Sequence, residues 1–168
     1  MRARITLEMI GEDGETIATE TVADLEIVTK GAEDLGLSLS ESKALLTKLQ
    51  QKMVETQVST WLRQHHERDG RFLRHNGYYP VTFHTLFGDV RLRSPRYRLQ
   101  DREENNGPAT ISPLRQLIPD HIAPERLYLE TRWASLVPYA AAAELLADVL
   151  PIACGNMRCG RLTASNGN

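Results

Sequence analysis

The sequence predicts an α+β protein in which two β-hairpins are combined with separate helices. Three patterns predict this class. Residues 2–10 alternate between apolar and polar side chains, residues 38–65 repeat apolar side chains at helical spacing, and residues 79–99 form two β-rich runs around a glycine. A chain of 168 residues can hold one ordinary domain or two small ones.

The N-terminal segment predicts a β-hairpin. Its first run places apolar side chains on one face of a half-buried strand, and a turn signal at 11–14 precedes a second β-rich run at 16–22. An isolated hairpin is marginally stable in water, so it must pack on another element. The apolar face of the first strand consists of Ala3, Ile5, Leu7 and Met9.

A long helix is predicted over residues 38–65. Ser38 and Glu41 have the spacing of a capping box, and neither glycine nor proline interrupts the pattern that follows. We expect its apolar stripe to carry the hairpin in an intramolecular core, the alternative being a homodimer in which two copies of this helix pair. The stripe comprises Leu45, Leu46, Leu49, Met53, Val58, Trp61 and Leu62.

A second hairpin is predicted in the middle of the chain. Residues 79–87 and 90–99 have β character, and Gly88-Asp89 between them suits a type II′ turn. Pro95 must lie at an edge or a bulge because it cannot donate to a ladder. The residues that follow are polar and predict a linker.

The C-terminal part predicts two short helices. Pro124 fits a first helical position, and Pro138 interrupts the pattern before a second helix begins. The expected organisation is a hairpin with the long helix, an arginine-rich hairpin, a polar linker, a helical pair and a disordered tail, at residues 1–66, 67–100, 101–118, 119–152 and 153–168.

Charge is unevenly distributed along the chain. The net charge is −2, but residues 61–100 contain eight arginines, no lysine and three acidic residues. Residues 1–60 contain six basic and eleven acidic residues, and residues 101–168 contain six and eight. The middle block can therefore carry a positive potential that the whole-chain sum conceals.

The arginines of this block are the candidate DNA-binding residues, because a guanidinium group fits phosphate oxygens. Arg91 and Arg93 share a strand face, and a bulge at Pro95 would bring Arg96 and Arg98 onto it. The alternative is a solvated strand face that arginine keeps soluble. The full candidate set is Arg71, Arg74, Arg91, Arg93, Arg96 and Arg98.

No metal site or catalytic site is expected. The histidines fit no zinc pattern, Cys154 and Cys159 cannot complete a zinc site alone, and no P-loop or nucleophile elbow occurs. The carboxylates form no cluster, and those of the C-terminal helices are expected on outer faces. The histidines are His65, His66, His75 and His84, and the helical carboxylates are Glu125, Glu130, Glu144 and Asp148.

The N-terminus lacks the long apolar stretch of a signal peptide, and no apolar run is long enough to cross a bilayer. A cytoplasmic protein without a membrane partner is therefore expected.

Three stretches resemble the N-terminal half of ISKra-type insertion-sequence transposases over residues 35–152. They read GLSLSESKALLTKLQQKMVETQV, TLFGDVRLRSPRY and SPLRQLIPDHIAPERLYLETRWASLVPYAAAAELLADVLPI. The resemblance implies DNA transposition, with double-stranded transposon ends as the partner. It also implies that the acidic RNase H-like catalytic domain, with its magnesium, lies downstream of these residues, so this fragment is expected to bind DNA and not to be an enzyme.

The resemblance further implies a zinc-ribbon-like hairpin and a helix-turn-helix, and the chain departs from both patterns. Where the family has C-P-x-C-G, this chain has residues 66–70, HERDG, and the later cysteine pair would fall near Leu99 and Asp101. The sequence after Ile152 loses its helical pattern, as in a truncated or frameshifted copy. A zinc-ribbon-like hairpin without cysteines and an incomplete helix-turn-helix are therefore expected, the alternatives being an interaction module or a non-functional remnant.

Overall fold

The computed structural model describes residues 1–28, 31, 35–68, 73–99 and 110–152, without the side chains of 66–68, 73, 74 and 99. It is an α+β structure with two small antiparallel sheets, as predicted. In chain order the elements are β1 Arg2–Ile10, β2 Thr16–Glu26, α1 Leu39–Arg68, β3 Leu73–Thr85, β4 Gly88–Leu99, β5 Thr110–Ile111, α2 Leu114–Leu117, α3 Pro124–Ala134 and α4 Tyr139–Val149.

The N-terminal hairpin forms as predicted, with β1 and β2 antiparallel. The predicted apolar face of β1 is half-buried, and the alternate side chains from Arg2 to Ile10 are exposed. Val22 and Ala23 of β2 are buried, and Nζ of Lys52 on α1 lies 2.7 Å from Oε1 of Glu20. The hairpin therefore packs on α1.

Helix α1 begins with the predicted capping box. The Ser38 hydroxyl accepts a hydrogen bond from the Glu41 amide at 3.2 Å, and the Glu41 carboxylate accepts one from the Ser38 amide at 2.8 Å. Val54 and Val58 are buried, with Leu62 packed beside them, whereas Met53 stays 40% exposed. The buried positions of α1 therefore include Val54, which the predicted stripe omitted, and exclude Met53, which the stripe contained.

The second sheet has the order β3–β4–β5. Thr85 pairs with Gly88, so the turn consists of Leu86 and Phe87. The prediction of a turn at Gly88-Asp89 was wrong, because both residues already belong to β4. Gly88 has a positive φ of 112°, a backbone conformation that glycine adopts more readily than other residues.

Residues 110–118 are part of the core, although they fall in the segment predicted as a polar linker. β5 pairs with β4, and Leu114 and Ile118 are 1% and 7% exposed. They join Val54 and Val58 of α1 against one face of the sheet. That face contributes Val81, Phe83, Val90 and Leu92.

The predicted helical pair is present. Pro124 is the first residue of α3, and Pro138 precedes α4. Leu129 and Trp133 of α3 pack against a buried cluster that includes Ala142 and Leu146 of α4.

The chain before α3 is tied to β3. The His84 amide donates to the His121 carbonyl, and the Ala123 amide donates to the His84 carbonyl, each at 2.8 Å. Helix α3 is thereby held near the β3–β4 turn.

Within the described residues, no helix is long and apolar enough to cross a membrane. The segment predicted as a disordered tail, 153–168, lies outside the described residues. So do residue 100, at the end of the predicted second hairpin, and residues 101–109 of the predicted linker.

Candidate nucleic-acid interface

The β3–β4 ribbon, residues 73–99, presents most of the predicted DNA-binding residues. Arg74 lies in β3 opposite Arg98, and Arg71 lies outside the described residues. The remaining four candidates are all exposed on β4: Arg91, Arg93, Arg96 and Arg98.

A β-bulge interrupts the ribbon, but in β3 and not at Pro95. His75 pairs with Tyr97 and Tyr78 pairs with Pro95, so β3 carries one residue more than β4 across this interval. Gly77, within the bulge, has φ of 82°, a left-handed conformation that glycine adopts without a Cβ penalty. Because the extra residue is in β3, the side chains of β4 keep alternating between the two faces.

Arg91 and Arg93 lie on one exposed face of the ribbon. We call it the open face, and it also contains Tyr78, Pro80 and Thr82 of β3. Arg93 pairs with Pro80 and Arg91 with Thr82, and all of these side chains are exposed. The Arg93 guanidinium carbon stands 4.9 Å from the centre of the Tyr78 ring. This is cation–π distance, so the ring holds the guanidinium in place without neutralising its charge.

An aromatic cluster continues the open face beyond Arg93. The His75 ring lies 4.8 Å from that of Tyr78 and 5.8 Å from that of Tyr97, between ring centres. Tyr78 is 58% exposed, whereas Tyr97 is buried. Burial, with a smaller effect from Tyr78, raises the pKa of Tyr97, so its hydroxyl stays protonated at neutral pH.

Arg96 lies on the opposite face of the ribbon. Its guanidinium carbon stands 4.3 Å from the centre of the Tyr79 ring, and adjacent strand residues such as Tyr78 and Tyr79 point to opposite faces. By the same alternation Arg98 follows Arg96. The expectation that a bulge at Pro95 aligns all four arginines on one face was therefore wrong: two lie on the open face, and two lie beyond the core on the covered face.

No described carboxylate neutralises the four exposed arginines of β4. Within the described part of the chain, none of them forms an ion pair. The acidic residue of the ribbon is Asp89, and it is already held by His84 and Arg126. The open face therefore presents guanidinium groups that an anion can bind without displacing any of the described carboxylates.

No protein-family model matches the chain, and no curated protein or solved structure matches it. The β3–β4 ribbon carries four of the six predicted DNA-binding arginines as exposed side chains without described ion pairs.

A buried ionic network, which the sequence interpretation missed, supports the turn of the ribbon. Arg126 is 2% exposed and donates from Nε to Glu130 at 2.8 Å and from Nη1 to Asp89 at 2.9 Å. Nη1 also lies 3.3 Å from the Thr85 carbonyl oxygen, and Asp89 bonds Nδ1 of His84 at 2.8 Å. The network joins α3 to both strands and so fixes the orientation of the ribbon beside the helical pair.

The expectation that Glu130 faces outward was wrong, because its side chain is only 6% exposed. Its Oε1 accepts a hydrogen bond from Arg126, whereas its buried Oε2 has no hydrogen-bond partner among the described residues. The spacing of Arg126 and Glu130, one helical turn apart, was the available signal for a pair on one helix face.

The three candidate histidines whose side chains are described lie apart and have different partners. His65 stacks on Trp61 with ring centres 3.7 Å apart, His75 contacts tyrosines, and His84 bonds Asp89. Among the residues that the structure describes, no group of three or more histidine, cysteine or acidic side chains is placed to bind a metal. The side chain of His66 and both cysteines lie outside the described part.

Proposed function

We propose that the open face of the β3–β4 ribbon binds the phosphates of double-stranded DNA. The observation that carries the proposal is the pair Arg91 and Arg93, which are exposed on one face and free of ion pairs with described carboxylates. Guanidinium groups of this kind supply most of the non-specific affinity of proteins for DNA. A two-stranded β-ribbon also has the dimensions to enter a major groove.

The placement of the other elements supports this choice of face. Helix α1 and the 114–118 segment pack against the covered face, where Val81, Val90 and Leu92 are buried. The opposite side chains, Thr82 and Arg91 among them, remain exposed. A rigid scaffold behind an open cationic face lowers the entropy cost of binding, because the arginines are positioned beforehand.

We further propose that this binding serves the recognition of transposon ends, as the resemblance of residues 35–152 to insertion-sequence transposases implies. In this proposal α3 and α4 are the first two helices of a helix-turn-helix, and the ribbon takes the place of a zinc ribbon without its cysteines. In this proposal arginine side chains supply the DNA contacts in the cytoplasm, zinc does not take part, and magnesium belongs to the catalytic domain that the resemblance places downstream.

Salt titration of DNA binding tests the proposal. Fluorescence anisotropy with a labelled duplex should show affinity falling steeply with salt concentration. Replacing both Arg91 and Arg93 by alanine should reduce the slope of log K against log salt by about 1.8, since each lost phosphate contact removes about 0.9. The exposed Lys48 and Arg63 of α1 offer a matched control, and the double variant Lys48→Ala, Arg63→Ala should leave the slope unchanged.

Two results would overturn the proposal: absence of duplex binding at low salt, or binding that does not depend on salt. An equal reduction of the slope in the double control variant Lys48→Ala, Arg63→Ala would also contradict it, because the effect would then follow net charge and not the open face. For transposon-end recognition, selection from a pool of random duplexes should enrich one recurrent sequence. An unenriched pool would contradict that part.

A second candidate is self-association through the 38–65 helix. Leu39 and Met53 of α1 are 58% and 40% exposed, which leaves apolar surface for a second copy. Light scattering should then give a mass near twice 18.9 kDa. A monomer at high protein concentration would exclude this candidate.

A further inference from the structure

The covered face of the sheet holds a cleft of about 700 Å³ between the ribbon and the 110–121 segment. Its floor is apolar, formed in part by Leu114 and Ile118 of the core. One wall is the ring of Tyr79. Ligand sites in proteins combine an apolar floor with a few convergent polar groups, and this cleft has that composition.

The rim of the cleft carries two arginine side chains. Arg96, Arg115 and His121 line it, and none of its described lining residues is acidic. Arg96 lies over the Tyr79 ring at 4.3 Å, so an aromatic surface and a positive charge are adjacent. A planar aromatic ring with an attached anion would satisfy both features, since the ring stacks and the anion meets the arginines.

The cleft is also held in shape by bonds along its edge. β5 pairs with β4 through Tyr97 and Ile111, and the hydroxyls of Ser94 and Ser112 are 2.6 Å apart. Ser94 is fully buried. The segment that carries Arg115 is therefore fixed relative to the strand that carries Arg96, and a ligand between them meets a preformed site.

We infer that this cleft binds a nucleoside phosphate, with the base against Tyr79 and the phosphate between Arg96 and Arg115. Two sources offer this chemistry, a free nucleotide and an unpaired nucleotide at a DNA end. The inference deepens the proposed function and rests on it for the second source. The open face would bind the duplex, and the cleft on the opposite face would receive a nucleotide that leaves the stack.

Binding of dAMP to the full chain, measured by isothermal titration calorimetry, tests the site itself. Binding should weaken about tenfold or more in Arg115→Ala and in Tyr79→Leu, because each removes one of the two recognised groups. Arg115 is exposed, so its replacement leaves the core intact if Tyr79→Leu fails to fold. Arg132→Ala is the charge-matched control and should bind as the unaltered protein does. Inorganic phosphate should bind more weakly than dAMP, since it lacks a base.

A blunt duplex and the same duplex with a short unpaired overhang distinguish the two sources. Tighter binding of the overhang that disappears in Tyr79→Leu and Arg115→Ala supports the unpaired nucleotide as ligand. Binding of dAMP without an overhang preference identifies the free nucleotide. Two results would overturn the inference. The first is the absence of both dAMP binding and an overhang preference. The second is an overhang preference that neither variant reduces. If the unaltered protein does not bind the blunt duplex, the proposed function is refuted. The dAMP titration would then still show whether the cleft binds a nucleotide.

Discussion

Nη1 of Arg126 donates a hydrogen bond of 2.9 Å to Oδ1 of Asp89, although the two residues are 37 positions apart in the chain. The bond connects α3 with the start of β4, and the guanidinium also donates a hydrogen bond to Glu130. A buried guanidinium must be surrounded by acceptors, because an unpaired charge away from water is very costly. The network therefore fixes how the helical pair meets the ribbon.

Replacement of Arg126 by methionine should destabilise the protein by about 3–5 kcal/mol, since it leaves the Glu130 carboxylate buried without a partner. The double variant Arg126→Met, Glu130→Leu should recover part of this loss, because it removes the unpaired charge as well. Urea denaturation of the two variants measures both effects. A single variant that loses less than about 1 kcal/mol would show that the network is not buried in solution.

The stability of the protein should fall in acid, in part through Asp89. Burial raises the pKa of Asp89, but the hydrogen bond with His84 and the charge of Arg126 outweigh it, so the pKa is lowered overall. A carboxyl with a lower pKa in the folded state contributes stability above its unfolded pKa, near about 3.9. That contribution is lost as the pH falls through the folded value.

The variant Asp89→Asn isolates this effect. It should be less stable than the unaltered protein at neutral pH, and the difference should shrink as the pH falls below about 4. Thermal unfolding at a series of pH values provides the measurement. Asp24 and Glu41 also have lowered pKa values, through hydrogen bonds with Arg2 and Ser38, so both proteins should keep some acid sensitivity. A stability difference independent of pH would contradict the assignment.

Local rules predicted the parts of the fold that depend on neighbouring residues. The alternation of β1, the capping box at Ser38 and the placement of Pro124 at the start of α3 each follow from a few adjacent side chains, and the structure confirms them. The exposure of the β4 arginines likewise follows from the polarity of guanidinium groups.

Features that depend on distant partners could not be obtained in this way. Leu114 and Ile118 lie in a short segment without a clear apolar periodicity, and their burial requires the covered face of the sheet and α1. The faces of Arg93 and Arg96 depend on which strand carries the bulge, and pairing across the ribbon decides this. Glu130 lies inward because it accepts a hydrogen bond from Arg126, whose guanidinium also bonds Asp89 of β4 and the Thr85 carbonyl of β3.

The capping box of α1 should be measurable as a loss of stability. Ser38→Ala removes the acceptor of the Glu41 amide and should cost about 1 kcal/mol. Ser38→Thr retains the hydroxyl and should cost less, and Ser40→Ala, two residues into the helix, should have little effect. Chemical denaturation of the three variants gives the ranking. Equal stability of Ser38→Ala and Ser38→Thr would show that the cap does not stabilise α1.

Gly88 is the glycine whose replacement should be most damaging to the ribbon. Its φ of 112° is unfavourable for any L side chain, and an added Cβ would lie 3.3 Å from Cγ2 of Thr47 and 3.5 Å from the Pro151 carbonyl oxygen. Gly77→Ala is the matched control, because Gly77 also has a positive φ but open space around its Cβ position. Gly77→Ala should cost about 1–2 kcal/mol from backbone strain alone. Gly88→Ala should cost more, because contact with α1 is added to the strain. Equal losses of stability in urea denaturation would contradict this account of Gly88, since its packing against Thr47 would then contribute nothing.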